Sequence, residues 1–278
     1  MESHEEKIET IIEPTHDFFK INWIELWHYR DLLFLLVRRD FVSKYKQTIL
    51  GPAWFVFQPL MTTVVFTIIF GKFAKIPTHE IPPMLFYLCG LLAWDYFAQC
   101  VSGISSSLIS NVNLFSKVYF PRLIIPLSII LSNLMKYGLQ LVVFLGFFSY
   151  FKFFTSASQF IHPNGWLLLL PVMVVITALA SLGVGLWVCA MTVKYRDFQH
   201  LIGFTVQLWM YGTPIIYPLS LVPEKWKWLV LLNPMTEIVE FYRLAFFGKG
   251  TLTFEGVFLS LTVITILFLT GLFAFNKA

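Results

Sequence analysis

The sequence predicts an all-α integral membrane protein with six transmembrane helices, an N-terminal amphipathic interface helix and short re-entrant gate helices before the last span. Three observations carry this. Of its 278 residues, 57% are hydrophobic and only 13% charged, whereas soluble domains carry about 25% charged residues; mean hydropathy is +0.72. Apolar runs recur at span length, and a helix needs roughly 20 such residues to cross about 30 Å of hydrocarbon. Thirty Phe and nine Trp suit lipid contact and interfacial belts.

The chain begins MESHEEKIET, acidic and without the basic-then-apolar order of a signal peptide, so residues 1–21 are expected to form a cytoplasmic tail. Residues 22–46 are expected to form the interface helix. Trp23, Ile24, Leu26, Trp27 and Tyr29 lead into the run Leu32 to Val37, followed by Arg38, Arg39, Asp40, Lys44 and Lys46. Six apolar residues cannot cross a bilayer. At 100° per residue the charges do not gather on one face, which favours a helix wedged between membrane and a protein partner.

Residues 47–278 form the transmembrane domain. Its expected spans are 53–73, 84–110, 123–150, 166–191, 201–217 and 252–275. The fifth is short and interrupted by Gly203, Gly212 and Pro214. Between the fifth and sixth, residues 218–250 hold two apolar pieces, Trp226 to Leu232 and Ile238 to Phe247, separated by Asn233-Pro234. Broken apolar helices are tolerated at membrane depth only when buried in protein or lining a cavity. A re-entrant pair capping a pathway is the reading adopted, against a hairpin lying on the outer surface.

With the N-terminus inside, Lys and Arg number twelve inside and seven outside, and the outside count falls to three without residues 218–250. The positive-inside rule supports this orientation, with both termini cytoplasmic. The loop 111–122, NVNLFSKVYFPR, then faces the cytoplasm. A loop facing only water gains nothing from Leu114, Phe115, Val118, Tyr119 and Phe120. Two readings compete: a plug for another protein's groove, or aromatic anchors among lipid headgroups.

Two charges lie within spans. Asp95 is 16 residues from Asn111 and Lys136 is 14 from Arg122, so both sit roughly 21 to 24 Å from the inner surface. Isolated charges in hydrocarbon are costly and usually pair or face water, so an Asp95–Lys136 pair tying spans two and three is expected. A proton or substrate site is the other reading.

Several chemistries are missing. No Gly-x-x-x-x-Gly-Lys-Ser/Thr phosphate loop occurs, so no ATP site of that kind is expected in this chain. His79-Glu80 lacks the second histidine of a zinc-protease helix, and no Gly-x-Ser-x-Gly elbow is present. Cys89, Cys100 and Cys189 fall inside apolar runs, at spacings of neither a metal site nor a disulfide framework. Neither enzyme, cofactor nor metal is expected, and no nucleic-acid partner. An intramembrane glycosyl- or acyltransferase would need a convergent carboxylate or histidine pair, and a channel without a partner would leave the basic, aromatic internal loops unexplained.

A set of phrases resembles one family. They are Arg38-Arg39 with Tyr45, Leu50-Gly51-Pro52-Ala53-Trp54 leading to Pro59, Gly90-Leu91-Leu92-Ala93-Trp94, Asn113-Leu114 followed by Lys117-Val118-Tyr119-Phe120-Pro121, and Tyr195-Arg196-Asp197-Phe198. Tyr211-Gly212-Thr213-Pro214-Ile215-Ile216-Tyr217-Pro218, Pro223-Glu224 and Asn233-Pro234-Met235 complete it. In this order they resemble the permease subunits of ATP-binding-cassette polysaccharide exporters, type-2 transporters that export O antigen, capsule or teichoic acid chains. Asp95 departs from the uncharged polar residue expected after that tryptophan.

The resemblance implies a homodimer in the bacterial inner membrane, partnered by two copies of a separate ATPase that holds MgATP. It implies that lipid-linked polysaccharide, O antigen foremost, is the substrate, with teichoic acid, a lipid or a drug as the alternative cargo of the same fold. It assigns coupling to the ATPase to Arg30, Arg38 and Arg39 of the interface helix and to Asn113, Leu114, Phe115, Lys117, Val118, Tyr119 and Phe120 of the loop. The substrate pathway would be lined by Trp54, Phe55 and Phe57 of span one and Trp209, Tyr211 and Tyr217 of span five, and residues 218–250 would form the external gate.

Overall fold

The computed structural model describes residues 23–43, 46, 51–115 and 117–278. The expected tail, with Tyr45 and Leu50 of the quoted phrases, lies outside the described residues. Those described are helical throughout their regular structure, and five helices are long and apolar enough to span a membrane.

The interface segment forms α1 (Trp23–His28) and α2 (Arg30–Ser43). Helical hydrogen bonds continue through the junction, from the Tyr29 N–H to the Glu25 carbonyl and from the Leu33 N–H to the Tyr29 carbonyl, each at 3.1 Å. The first span, α3 (Trp54–Phe66), carries Pro59 within it and ends in a π-helical stretch, Thr67–Phe73. A proline removes a backbone donor. The carbonyl left without its helical donor is that of Phe55, and it accepts from the Gln140 side-chain amide at 3.0 Å.

The centre of the fold is α4 (Pro83–Ser105). Its residues are apolar on every face from Leu85 to Ala93, and a helix with that pattern has to be buried all round. Accordingly, Leu85, Phe86, Cys89, Phe97 and Cys100 are fully enclosed. Two short turns, α5 (Ser107–Ser110) and α6 (Val112–Phe115), precede α7 (Ile124–Phe154). With 31 residues, α7 is about 46 Å long and outruns the hydrocarbon.

Next come α8 (Leu170–Lys194) and α9 (Phe198–Gly212). The expected fifth span corresponds to α9, which starts three residues earlier and stops at Gly212. Its 15 residues fall short of the roughly 20 that crossing requires, because Pro214 cannot continue a helix. Then follow α10 (Glu224–Leu231), α11 (Pro234–Phe247) and α12 (Phe254–Lys277). The start of α11 is written in Asn233-Pro234: the Asn233 side chain accepts from the Met235 N–H at 3.0 Å, and proline suits the first helical position. At its other end Gly248 adopts φ +70°, the left-handed stop that glycine takes most readily.

α4 packs against α7, α8, α3, α9 and α11, while α8 packs along α12. The α8–α12 crossing is close enough that a Cβ on Gly271 would lie 2.3 Å from the Gly183 carbonyl oxygen.

Candidate functional site

The loop between α4 and α7 is seated on the interface helices. Phe115 and Phe120 stack with ring centroids 5.1 Å apart. With Leu114 and Ile124 they pack against Leu26, Leu32, Leu33 and Leu36 of α1 and α2 and Tyr29 at their junction. Arg39 donates to the Asn111 side-chain oxygen at 3.4 Å and pairs with Asp40 at 2.8 Å. Partial desolvation first, then the neighbouring Glu25 and Tyr29, push the Tyr119 hydroxyl above the ordinary tyrosine range.

The expected coupling residues thus divide by position. Phe120 is only 4% exposed, and Leu114 and Phe115 are half-buried, so these hold the loop in place. Val118 and Tyr119 are 52% and 55% exposed, and Asn113 and Lys117 are exposed beside them. Arg30 and Arg38 are exposed on α2, Arg30 lying over the Trp27 ring at 5.4 Å.

The aromatics expected to line a pathway fall in separate places. Trp54 and Phe57 are exposed on α3, edge-to-face at 5.6 Å, whereas the half-buried Phe55 lies under the Lys136 ammonium at 5.0 Å. Trp209 packs onto α4, 5.3 Å from Phe97 and 6.4 Å from Trp94. Tyr211 is exposed, and Tyr217 is half-buried beyond the end of α9.

Asp95 and Lys136 line one cavity of about 360 Å³ between α3, α4 and α7. Among the described residues no ion contact within 4 Å joins them. The Lys136 ammonium is turned instead to Gln99 Oε1, at 3.1 Å, and to Asn133 Oδ1. Gln99 stands one helical turn beyond Asp95, on the side where Lys136 lies.

A buried charge cluster lies in the segment 218–250. Arg243 is fully enclosed on α11. Its guanidinium donates to Glu240 Oε1 at 2.7 Å and to the Ile215 carbonyl at 2.9 Å, and lies 3.8 Å from the centroid of Phe86. Glu240 also accepts from the Thr251 N–H at 3.0 Å. Glu237, one turn earlier, is buried against Gly256 of α12 with no hydrogen-bond partner for either carboxylate oxygen among the described residues. α11 is buried along nearly its whole length, whereas α10 exposes Trp226 and Trp228.

The profile of a family described as ABC-2 type transporter matches residues 31–247, from α2 through α11. The chain belongs to the ABC-2 type transporter family. Among curated relatives it is similar to an O-antigen export system permease protein RfbA of Klebsiella pneumoniae, 28% identical over 89% of this chain and 92% of that one. A protein of the same name from Myxococcus xanthus is 30% identical over 80% of this chain and 83% of the relative. The capsule polysaccharide export inner-membrane protein CtrC of Neisseria meningitidis serogroup B is 22% identical over 92% and 94%.

Sequence reasoning found the loop of this ABC-2 chain from its misplaced aromatics but missed the Glu237–Glu240–Arg243 cluster. The signal was present: three charges at spacings of three within an otherwise apolar piece, the pattern of one helix face turned to a protected partner.

Proposed function

We propose that this chain is the transmembrane subunit of an ATP-driven exporter that moves lipid-linked polysaccharide, O antigen foremost, across the bacterial inner membrane. The channel is formed by two copies, with two copies of a separate ATPase on the cytoplasmic side. In this reading α9, extended by the turn to Tyr217, completes six spans, α10 and α11 are the external gate, and both termini are cytoplasmic. Lining of the pathway falls to Trp54, Phe55 and Phe57 with Trp209, Tyr211 and Tyr217.

The observation that carries the reading is the loop 111–122. Half-buried Phe115 and buried Phe120 fasten it to α1 and α2, exposed Val118 and Tyr119 project from it, and its far end runs directly into α7. Such a loop is held rigidly on one side and offers an apolar knob on the other. Work done by an ATPase reaches the membrane only if the contact differs between two states, which a seated knob provides and a lipid anchor does not. The names of the polysaccharide-exporting relatives support the choice of cargo.

The test is reconstitution of this chain with its ATPase in proteoliposomes. Lipid-linked O antigen is expected to stimulate ATP hydrolysis and to move to the far side only when ATP is supplied. Stimulation by teichoic acid precursors or drugs alone would reassign the cargo, and movement without an ATPase would overturn the reading. A reporter fused at the C-terminus and active only outside the cytoplasm would overturn the topology.

A further inference from the structure

At the end of the bundle that carries the loop 111–122, a groove of about 360 Å³ opens between α5, α6, the residue pair before α7 and the last residues of α8 and α12. Leu108, Ile109, Val112 and Val193 give it an apolar wall, and Arg122 and Arg196 give it two guanidinium groups. Its depth in the membrane follows from α8. Val193 stands 18 residues after Val175, five full turns, so the two face the same way, and they are 41% and 58% exposed. Val172 and Leu179, exposed beside Val175, make this the face of α8 that meets lipid tails. Val193 is also the next-to-last residue of α8, about 35 Å from its first, which is the depth at which hydrocarbon gives way to headgroups.

Both arginines stand just past that depth, Arg196 two residues after α8 ends and Arg122 two before α7 begins. The charge around them is positive. Residues 111–122, 193–200 and 277–278 carry Lys117, Arg122, Lys194, Arg196 and Lys277 against Asp197 and the α-carboxylate of Ala278. Neither of these two anions, nor any other acid among the described residues, comes within 4 Å of Arg122 or Arg196. The groove therefore sets two exposed guanidinium groups at headgroup height directly beside an apolar wall at the height of the acyl carbons.

We propose that this groove holds an anionic phospholipid of the surrounding bilayer, its phosphate between Arg122 and Arg196 and an acyl chain along Val112 and Val193. A guanidinium presents a planar fork that matches phosphate oxygens, and basic pockets between membrane helices recognise anionic headgroups. A zwitterionic lipid offers the same phosphate but brings a cationic headgroup toward Lys194 and Lys277, so a lipid of net negative charge is favoured. The groove also lies apart from the aromatics expected to line a pathway. It is walled by the ends of α8 and α12, and α12 packs chiefly on α8 and α11, whereas those aromatics stand on α3 and on or just beyond α9. The occupant is thus a resident lipid rather than cargo, and its binding requires neither the ATPase nor export.

The full chain, purified in maltoside, is titrated with phosphatidylglycerol, with phosphatidylcholine of the same acyl chains and with inorganic phosphate, and bound lipid is counted by native mass spectrometry. Phosphatidylglycerol is expected to bind more tightly than phosphatidylcholine by on the order of tenfold or more. Arg122→Gln combined with Arg196→Gln is expected to abolish that preference, and Arg122→Lys combined with Arg196→Lys to keep most of it. Equal binding of the two lipids by the parent chain, or an undiminished preference in the double Gln variant, would overturn the site. Inorganic phosphate displacing phosphatidylglycerol at equal concentration would overturn the lipid assignment in favour of a free anion.

Should the double Gln variant not fold, Val112→Asp supplies the second measurement. Val112 is 58% exposed, and a carboxylate on the apolar wall is expected to repel the phosphate and lower the affinity for phosphatidylglycerol by a similar factor; unchanged affinity would overturn the proposal. Addition of the ATPase subunit is expected to leave the lipid bound, and its release would assign the groove to the ATPase instead. Loss of lipid selectivity with export intact removes the site and leaves the permease reading, whereas selective binding by a chain that exports nothing with its ATPase does the reverse.

Discussion

The hydroxyls of Tyr137 and Tyr242 meet at 2.8 Å, with both side chains buried. One belongs to α7, which begins just after the loop 111–122, and the other to α11 in the segment 218–250. Tyr137 lies thirteen residues into α7, about 20 Å from its start. A single hydrogen bond thus ties a rod rooted in the loop to the helix that carries Arg243. Replacing Tyr137 or Tyr242 alone by Phe leaves a buried hydroxyl unpaired, at a cost of about 1–3 kcal/mol. The double Phe variant should lose about 1 kcal/mol less than the sum of the two. Denaturation of the four proteins in one detergent measures this, and additivity would mean that the bond does not couple the helices.

Position within the loop separates anchoring from signalling. Tyr119→Ala and Val118→Ala remove exposed side chains, so the chain should still insert and melt within about 0.5 kcal/mol of the parent, while export falls and ATP hydrolysis by the complex continues. Phe120→Ala empties a buried site and should destabilise the protein by about 3 kcal/mol or more. Surface polysaccharide, ATPase rate and melting temperature are the three readouts. Export undiminished in Tyr119→Ala and Val118→Ala would remove the knob from the mechanism.

Much of this was legible from the chain. The long apolar runs become α3, α4, α7, α8 and α12 because length and hydropathy alone decide whether a segment spans a bilayer. The loop was legible for the opposite reason, since its aromatics break the expectation for a water-facing turn. Partner choice inside the bundle was not legible. Depth brought Asp95 and Lys136 level, but helix rotation decides which side chains meet, and Lys136 meets Gln99 and Asn133. Packing of Phe115 and Phe120 against α1 and α2 likewise needed the tertiary contact. In sequence Arg243 counted only as one more external positive charge; its enclosure by Glu240, Ile215 and Phe86 depends on how α11 folds back on α4.

Glycines on α8, α12 and α7 give a contrast in packing. A Cβ on Gly271 would lie 2.3 Å from the Gly183 carbonyl oxygen, and one on Gly183 would lie 2.7 Å from the Phe268 nitrogen. Both obstacles are backbone, so the helices themselves would have to separate. Gly271→Ala and Gly183→Ala should each cost about 1–3 kcal/mol through overpacking. By comparison, a Cβ on Gly146 meets nothing within 4 Å, and Gly146→Ala should be neutral or should stabilise by about 0.5–1 kcal/mol. Thermal melting monitored by size exclusion distinguishes them, and equal melting of all three would contradict the close crossing.

The three charges on α11 should respond differently although they share one helix. Arg243→Ala leaves Glu240 buried and strips donors from the Ile215 carbonyl, so a loss of about 3–5 kcal/mol is expected. Arg243→Lys should recover less than half of that, because one ammonium cannot reach both acceptors in the planar fork geometry while lying over Phe86. Glu240→Gln keeps an acceptor for the Thr251 N–H but loses the charge pair, and should fall between the two. Glu237 makes no hydrogen bond among the described residues in its buried place, and an amide is less costly to enclose than a carboxylate. Glu237→Gln should therefore match or exceed the stability of the parent chain. Denaturant midpoints for the four variants set the order, and a Glu237→Gln protein less stable than Glu240→Gln would mean that Glu237, rather than Glu240, is the carboxylate holding this segment together.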